Sequence, residues 1–178
     1  TLGRRGKKEN LLVEESFLKE KGIGLYNVER GGDITYHGPG QVVGYPILNL
    51  NQNRDIHKLV RSVEDVLIKV IRLYGIDGKR IKGLTGVWVG NEKIAAIGMA
   101  VKKWISFHGF ALNVSTNLDY FKYIRPCGID DKGVTSIERI LGKNSPSIED
   151  VERDIIEQFG EVFGFAMKRG FEFIGKEL

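Results

Sequence analysis

Apolar side chains recur along this chain with two periods. Ile56, Leu59, Val60, Val63, Val66, Leu67, Val70, Ile71 and Tyr74 follow at spacings of three, four and seven. That spacing predicts an amphipathic helix, stopped by Gly75. His57 falls in its first turn and reads as a surface residue. A second helical stripe, Ile148, Val151, Ile155, Phe159, Val162 and Phe163, follows the capping-box-like start Ser147-Ile148-Glu149-Asp150. Shorter helices are predicted over Glu14 to Lys21, closed by Gly22, over Leu118 to Tyr123 and over Thr135 to Leu141. Strand chemistry marks Ile23 to Val28, Ile34 to Tyr36, Val42 to Leu48, Leu84 to Val89, Lys93 to Val101, Trp104 to Val114 and Phe171 to Ile174. Pro46 marks its strand as an edge or a bulge. Gly90-Asn91 joins two of the strands by a turn. Neighbouring strands with short connections, and helices set apart from them, predict an α+β fold with a mixed, largely antiparallel sheet.

Composition narrows this picture. The chain has 178 residues, which reads as a single domain over 1–178 with no repeat or linker. Gly accounts for 23 of them, roughly twice the usual share, so the backbone approaches something closely at several places. Lys and Arg number 27 against 23 Asp and Glu, a net charge of +4. This mild excess asks for no nucleic acid. No apolar run is long enough for a membrane span, and Thr1 to Lys8 lacks a signal-peptide core. One Cys and three scattered His offer no metal-ligand spacing, and one Cys forms no internal disulfide, which fits a reducing compartment.

That Cys is Cys127, in Arg125-Pro126-Cys127-Gly128-Ile129. Proline before the thiol and glycine after it make a rigid, open bend, whereas most lone cysteines are simply buried. A thiol of pKa about 8.5 is only a few per cent thiolate at neutral pH, so a nucleophilic Cys127 needs a base or a cation beside it. His37, His108 and Lys93 are the candidates. Lys93 heads the small-residue strand Lys93-Ile94-Ala95-Ala96-Ile97-Gly98. Together with Gly31-Gly32, Gly38-Pro39-Gly40 and His108-Gly109-Phe110-Ala111, that strand suggests a narrow slot for an extended ligand. None of these is a P-loop or a dinucleotide fingerprint.

Three blocks, Arg30 to Gln41 (RGGDITYHGPGQ), Gly86 to Val114 (GVWVGNEKIAAIGMAVKKWISFHGFALNV) and Arg125 to Ile137 (RPCGIDDKGVTSI), resemble the lipoate-biosynthesis octanoyltransferases, which act from octanoyl-acyl carrier protein. The resemblance covers nearly the whole chain. It implies a fold shared with biotin and lipoate protein ligases. It implies that Cys127 carries the octanoyl group as a thioester and that Lys93 activates it. Substrate-contacting positions fall on Arg30, Gly31, Gly32, Asp33, Ile34, Thr35, Tyr36 and His37, on Ala96, Ile97 and Gly98, and on Gly109, Phe110 and Ala111. The implied partners are octanoyl-acyl carrier protein as donor, and as acceptors the lipoyl domains of 2-oxoacid dehydrogenases and the glycine cleavage H protein. No cofactor or metal is implied, and the location is cytoplasmic. Such sequences usually carry a further segment ahead of Thr1-Leu2-Gly3-Arg4, so an N-terminal segment is expected to be missing here. The competing readings are an ATP-dependent lipoate or biotin protein ligase, a non-catalytic lipoyl-domain-binding protein, and a cysteine hydrolase using His37 or His108.

Overall fold

The computed structural model describes residues 1–125, 132–168 and 170. Secondary structure runs α1 (Glu15–Glu20), β1 (Gln41–Gly44), α2 (Ile56–Leu73), β2 (Lys79–Ile81), β3 (Leu84–Val89), β4 (Glu92–Lys102), β5 (Ile105–Asn113), β6 (Gly133–Val134), α3 (Ile137–Leu141) and α4 (Ile148–Phe163). The strands form one sheet in the order β1-β5-β4-β3-β2, antiparallel throughout, with β6 added parallel to β4. This is the mixed, largely antiparallel α+β architecture that the periodicity predicts. None of the described helices is long and apolar enough to cross a membrane.

Helices α2 and α4 cover one face of the sheet. Asp55 caps α2 by accepting the Lys58 N–H at 2.8 Å, and Gly75 ends it with a left-handed φ of 77°. The inner stripe of α2, with Val66, Leu67, Val70 and Ile71 fully buried, packs on Val87, Ile94, Phe110 and Leu112 of the sheet. Each such side chain contributes roughly 1.5–3 kcal/mol. Ser147 caps α4 by accepting the Asp150 N–H at 3.1 Å, and the Tyr74 hydroxyl bonds Asp154 to tie the two helices.

Two departures from the periodicity matter. Ile23 to Val28 and Ile34 to Tyr36 do not enter the sheet; they make single bridges, Leu2 to Asn27 and Leu2 to Ile34, because Leu2 threads between them. Strands β2 and β6 go unmarked by sequence pattern, being too short to show alternation. The predicted strand at Phe171 to Ile174 lies outside the described residues. The strand predicted over Val42 to Leu48 is the edge strand β1, which stops at Gly44, ahead of Pro46; Leu118–Tyr123 winds as a 3-10 helix, and the other elements fall where the pattern puts them.

Residues 1–40 lie on the opposite face of the sheet around a smaller apolar cluster of Leu2, Ile34 and Ile124. They are pinned to β4 by a backbone crossing. Gly31 N–H donates to the Met99 carbonyl at 3.1 Å. A Cβ on Gly31 would stand 2.8 Å from the Met99 oxygen, and one on Gly98 would stand 2.9 Å from the Gly31 oxygen and 3.0 Å from Arg30 Cδ. Glycine at both positions is therefore a steric requirement. Within the sheet itself, a Cβ on Gly109 of β5 would overlap the Gly44 oxygen of the neighbouring β1.

On the helix side, Glu64 is 1% exposed. Its carboxylate accepts from Arg80 Nε at 2.7 Å, Arg61 Nη1 at 3.1 Å and the Gly86 N–H at 3.0 Å. Gly98→Ala is expected to lower unfolding free energy by about 1–3 kcal/mol, because the Arg30–Gly31 backbone must move away. Glu64→Ala is expected to cost about 3 kcal/mol, and Glu64→Gln less, because the amide oxygen keeps an acceptor for Gly86. Denaturant melts of the three variants measure both effects.

Candidate functional site

Between the sheet and the N-terminal segment lies a cleft of about 820 Å³. Ala96, Gly98, Gly109 and Ala111 form its floor, with Ala96 paired to Ala111 and Gly98 to Gly109 across β4 and β5. Arg30 to Thr35 cover it. Along β4 the cleft runs from Lys93 to Met99, roughly 20 Å at about 3.3 Å per residue. Arg30, Gly31, Gly32, Asp33, Ile34, Thr35, His37, Ala96, Ile97, Gly98, Gly109, Phe110 and Ala111 all line it, as does Lys93. The blocks singled out in the sequence thus meet in one place. Among the described candidate residues the exception is Tyr36, which is not among the lining residues. Its ring stacks on Tyr120 with centroids 4.9 Å apart and meets Phe121 edge-on, and desolvation with Tyr120 nearby holds its pKa above the ordinary phenol value.

A β-bulge decides which way Lys93 points. Val87 pairs with Ala95 and Trp88 with Lys93, so Ile94 is the extra residue. Ile94 and Ala95 are consecutive, yet both belong to the helix-side core. Lys93 consequently leaves the other face and lines the cleft, where an unbroken alternation from Ala95 would turn it inward. Its Nζ sits 4.8 Å from the centroid of the Trp88 ring.

The backbone of Lys93 is tied to the segment that follows Cys127. β6 pairs Gly133 with Glu92 and Val134 with Lys93, and the Thr135 N–H donates to the Lys93 carbonyl at 3.0 Å. β6 takes the place beside β4 that β5 leaves after Asn113. Cys127 itself lies outside the described residues. Upstream of it, the Arg125 N–H donates to the Asn10 carbonyl at 2.8 Å, and the Asn10 amide donates to the Asp33 carboxylate. Asp33 also accepts the Lys7 N–H at 3.1 Å and the Ile34 N–H at 2.7 Å. Its carboxylate is committed to shaping the loop.

Arg30 is buried, with 8% exposure. Its guanidinium donates to the Thr1 carbonyl at 2.6 Å, the Thr1 hydroxyl at 3.0 Å and the Gly31 carbonyl at 3.1 Å. A fixed cation thus stands over Gly98. Both cleft histidines feel it. Desolvation, with the Arg30 charge added, holds His37 and His108 below the ordinary imidazole range, while Gln41 works the other way on His37.

Sequence reasoning passed over Gln41 and Asn113. Gln41 Nε2 donates to the Tyr36 carbonyl at 3.2 Å and to Asn113 Oδ1 at 2.9 Å, which fixes the orientation of the amide. Gln41 Oε1 then faces His37 Nδ1 at 3.2 Å, so this nitrogen carries the proton. Asn113 Nδ2 donates to the Thr135 carbonyl at 2.9 Å. A polar chain therefore links the His37 loop to β6, and through it to Lys93. The signal available was a buried amide at the end of an apolar strand. His108 adds a left-handed backbone, φ 56°, within β5, a conformation that costs a non-glycine residue energy.

Residues 1–160 match the lipoyl protein ligase A/B catalytic domain. The chain is 50% identical to the octanoyltransferase of Caldicellulosiruptor bescii, covering 99% of this chain and 77% of that protein. It is 45% identical to the octanoyltransferase of Desulforamulus reducens, covering 99% and 80%. Among solved structures, a putative lipoate protein ligase from T. acidophilum with bound lipoic acid superposes with a TM-score of 0.71 at 21% identity, covering 94% of this chain and 69% of that one. The apo biotin protein ligase from Aquifex aeolicus superposes with a TM-score of 0.57 at 17% identity, covering 84% and 63%. These last two show a shared fold. With half its residues identical to an octanoyltransferase across nearly its whole length, the chain belongs to the octanoyltransferases of the lipoyl protein ligase A/B catalytic family.

Proposed function

We propose that this protein is an acyltransferase that moves an octanoyl group from octanoyl-acyl carrier protein to a lysine of a lipoyl domain, through a thioester on Cys127. The observation that carries the reading is Lys93. It lines an apolar-floored cleft, and its backbone is paired with the strand that follows the Cys127 segment. In the first step the Cys127 thiolate attacks the donor thioester, the tetrahedral intermediate collapses, and the carrier's phosphopantetheine thiolate leaves and takes a proton. In the second, the neutral lysine amine of the lipoyl domain attacks the Cys127 thioester, forms the amide, loses its proton and expels the Cys127 thiolate. Lys93 pairs with the thiolate in both steps and carries the proton.

The alkyl chain lies over Ala96 and Ala111, beneath Arg30 to Thr35. Burying six or seven methylenes there contributes up to about 5 kcal/mol, at roughly 0.8 kcal/mol each. Substrate contacts fall on Arg30 to Thr35, His37, Ala96 to Gly98 and Gly109 to Ala111, and Tyr36 acts from behind this layer. The acceptors are the lipoyl domains of 2-oxoacid dehydrogenases and the glycine cleavage H protein. The location is the cytoplasm, where a single thiol stays reduced. No ATP, metal or other cofactor takes part.

Intact-mass measurement after mixing with octanoyl-acyl carrier protein is expected to show one octanoyl adduct, discharged on adding an apo lipoyl domain. Cys127→Ala is expected to show none. A folded wild-type protein that gains no adduct, yet octanoylates the lipoyl domain from octanoate and ATP, overturns the scheme in favour of a ligase. Lys93→Ala is expected to slow adduct formation by about 10²–10⁴-fold, measured in a single turnover. Acylation by Lys93→Ala at the wild-type rate removes Lys93 from the mechanism.

A further inference from the structure

We infer that Trp88 is a positioning residue for Lys93: its ring is the platform that holds the ammonium at the end of the cleft. The inference rests on the reading of Lys93 given above. Val87 and Val89 pack with the helix-side core, so Trp88 between them faces the cleft side of the sheet. It is 1% exposed and is not itself a lining residue; it meets the cleft through Lys93. Trp88 and Lys93 are direct cross-strand partners, and Nζ lies 4.8 Å from the ring centroid, within the reach of a cation–π contact.

Two further features build this arrangement. A Cβ on Gly86, two residues before Trp88, would stand 3.5 Å from Lys93 Cε and 3.6 Å from Cδ. The lysine stem therefore runs along a groove with glycine on one side and indole on the other. Gly86 has a φ of 119°, closed to other residues, and Glu64 accepts its N–H. Trp88 Nε1 is buried with no hydrogen-bond partner among the described residues. A tryptophan kept for packing alone leaves that polar group a cost, which phenylalanine avoids. The ring face offers a reason for it, because the indole quadrupole attracts a cation more strongly than a phenyl ring does.

The test combines a kinetic and a spectroscopic reading on the full chain. Single-turnover acylation by octanoyl-acyl carrier protein is measured for wild type, Trp88→Phe, Trp88→Leu and Lys93→Ala, with thermal melts alongside. Trp88→Leu is expected to acylate at least about 10-fold more slowly at saturating donor, with the donor concentration for half-maximal rate within about two-fold of wild type. Trp88→Phe is expected to restore the rate to within about three-fold. In ¹³C-lysine-labelled protein, the Lys93 ε-methylene protons, assigned by their loss in Lys93→Ala, are expected upfield of the other lysines through the indole ring current. The displacement is expected to vanish in Trp88→Leu. Should Trp88→Leu fail to fold, wild type and Trp88→Phe still report the ring current. An unshifted Lys93 resonance in wild type overturns the inference, as does a folded Trp88→Leu that acylates at the wild-type rate or matches Trp88→Phe. Wild-type acylation by Lys93→Ala overturns the reaction scheme and this inference with it, whereas an impaired Lys93→Ala beside an unimpaired Trp88→Leu overturns the inference alone.

Discussion

Gly31 and Gly98 meet backbone against backbone, and the cleft exists because they do. The N-terminal forty residues make no strand with the sheet. They are held over it by the Gly31 N–H on the Met99 carbonyl, by Arg30 gripping Thr1, and by a small cluster around Leu2, Ile34 and Ile124. A Cβ at either glycine would stand under 3 Å from the facing carbonyl oxygen, so the two layers would have to shift apart. The guanidinium of Arg30, the carboxylate of Asp33 and the loop carrying His37 all take their positions from that crossing. The same steric logic applies at Gly40 and Gly86, where a Cβ would meet the Ser115 and Ala95 backbones, while Ala96 and Ala111 leave space over the cleft floor.

The Lys93 end of the cleft depends on a different device, the bulge at Ile94. One extra residue in β4 sends Ile94 and Ala95 into the helix-side core together and turns Lys93 out onto Trp88. β6 then joins β4 beside Lys93, so the chain leaving the Cys127 segment is in register with the lysine. The upstream side of that segment is tied through Asn10 to Asp33. Both flanks of the thiol segment are therefore referenced to the walls of the cleft, one to its cover and one to its floor.

The amino-acid sequence by itself determined a good deal. The three-and-four spacing of α2 and α4, the cap at Ser147 and the glycine stop at Gly75 are local signals, and the structure follows them. So is the run of small residues along β4 and β5, which marks a floor whatever lies above it. The order of three motif blocks was enough for the family. What only the tertiary structure decided is non-local. No local pattern reports that Ile94 bulges, because the bulge is a mismatch between two strands, and Lys93 reads equally well as a strand-end lysine in water. Tyr36 sits inside a motif of cleft residues yet stacks on Tyr120, which is distant in sequence. Gln41 and Asn113 form one polar chain across the sheet, and neither residue alone predicts the other. Residue type and spacing carry periodicity, capping and steric size. Pairing register carries the direction in which a side chain points, and register belongs to the assembled sheet.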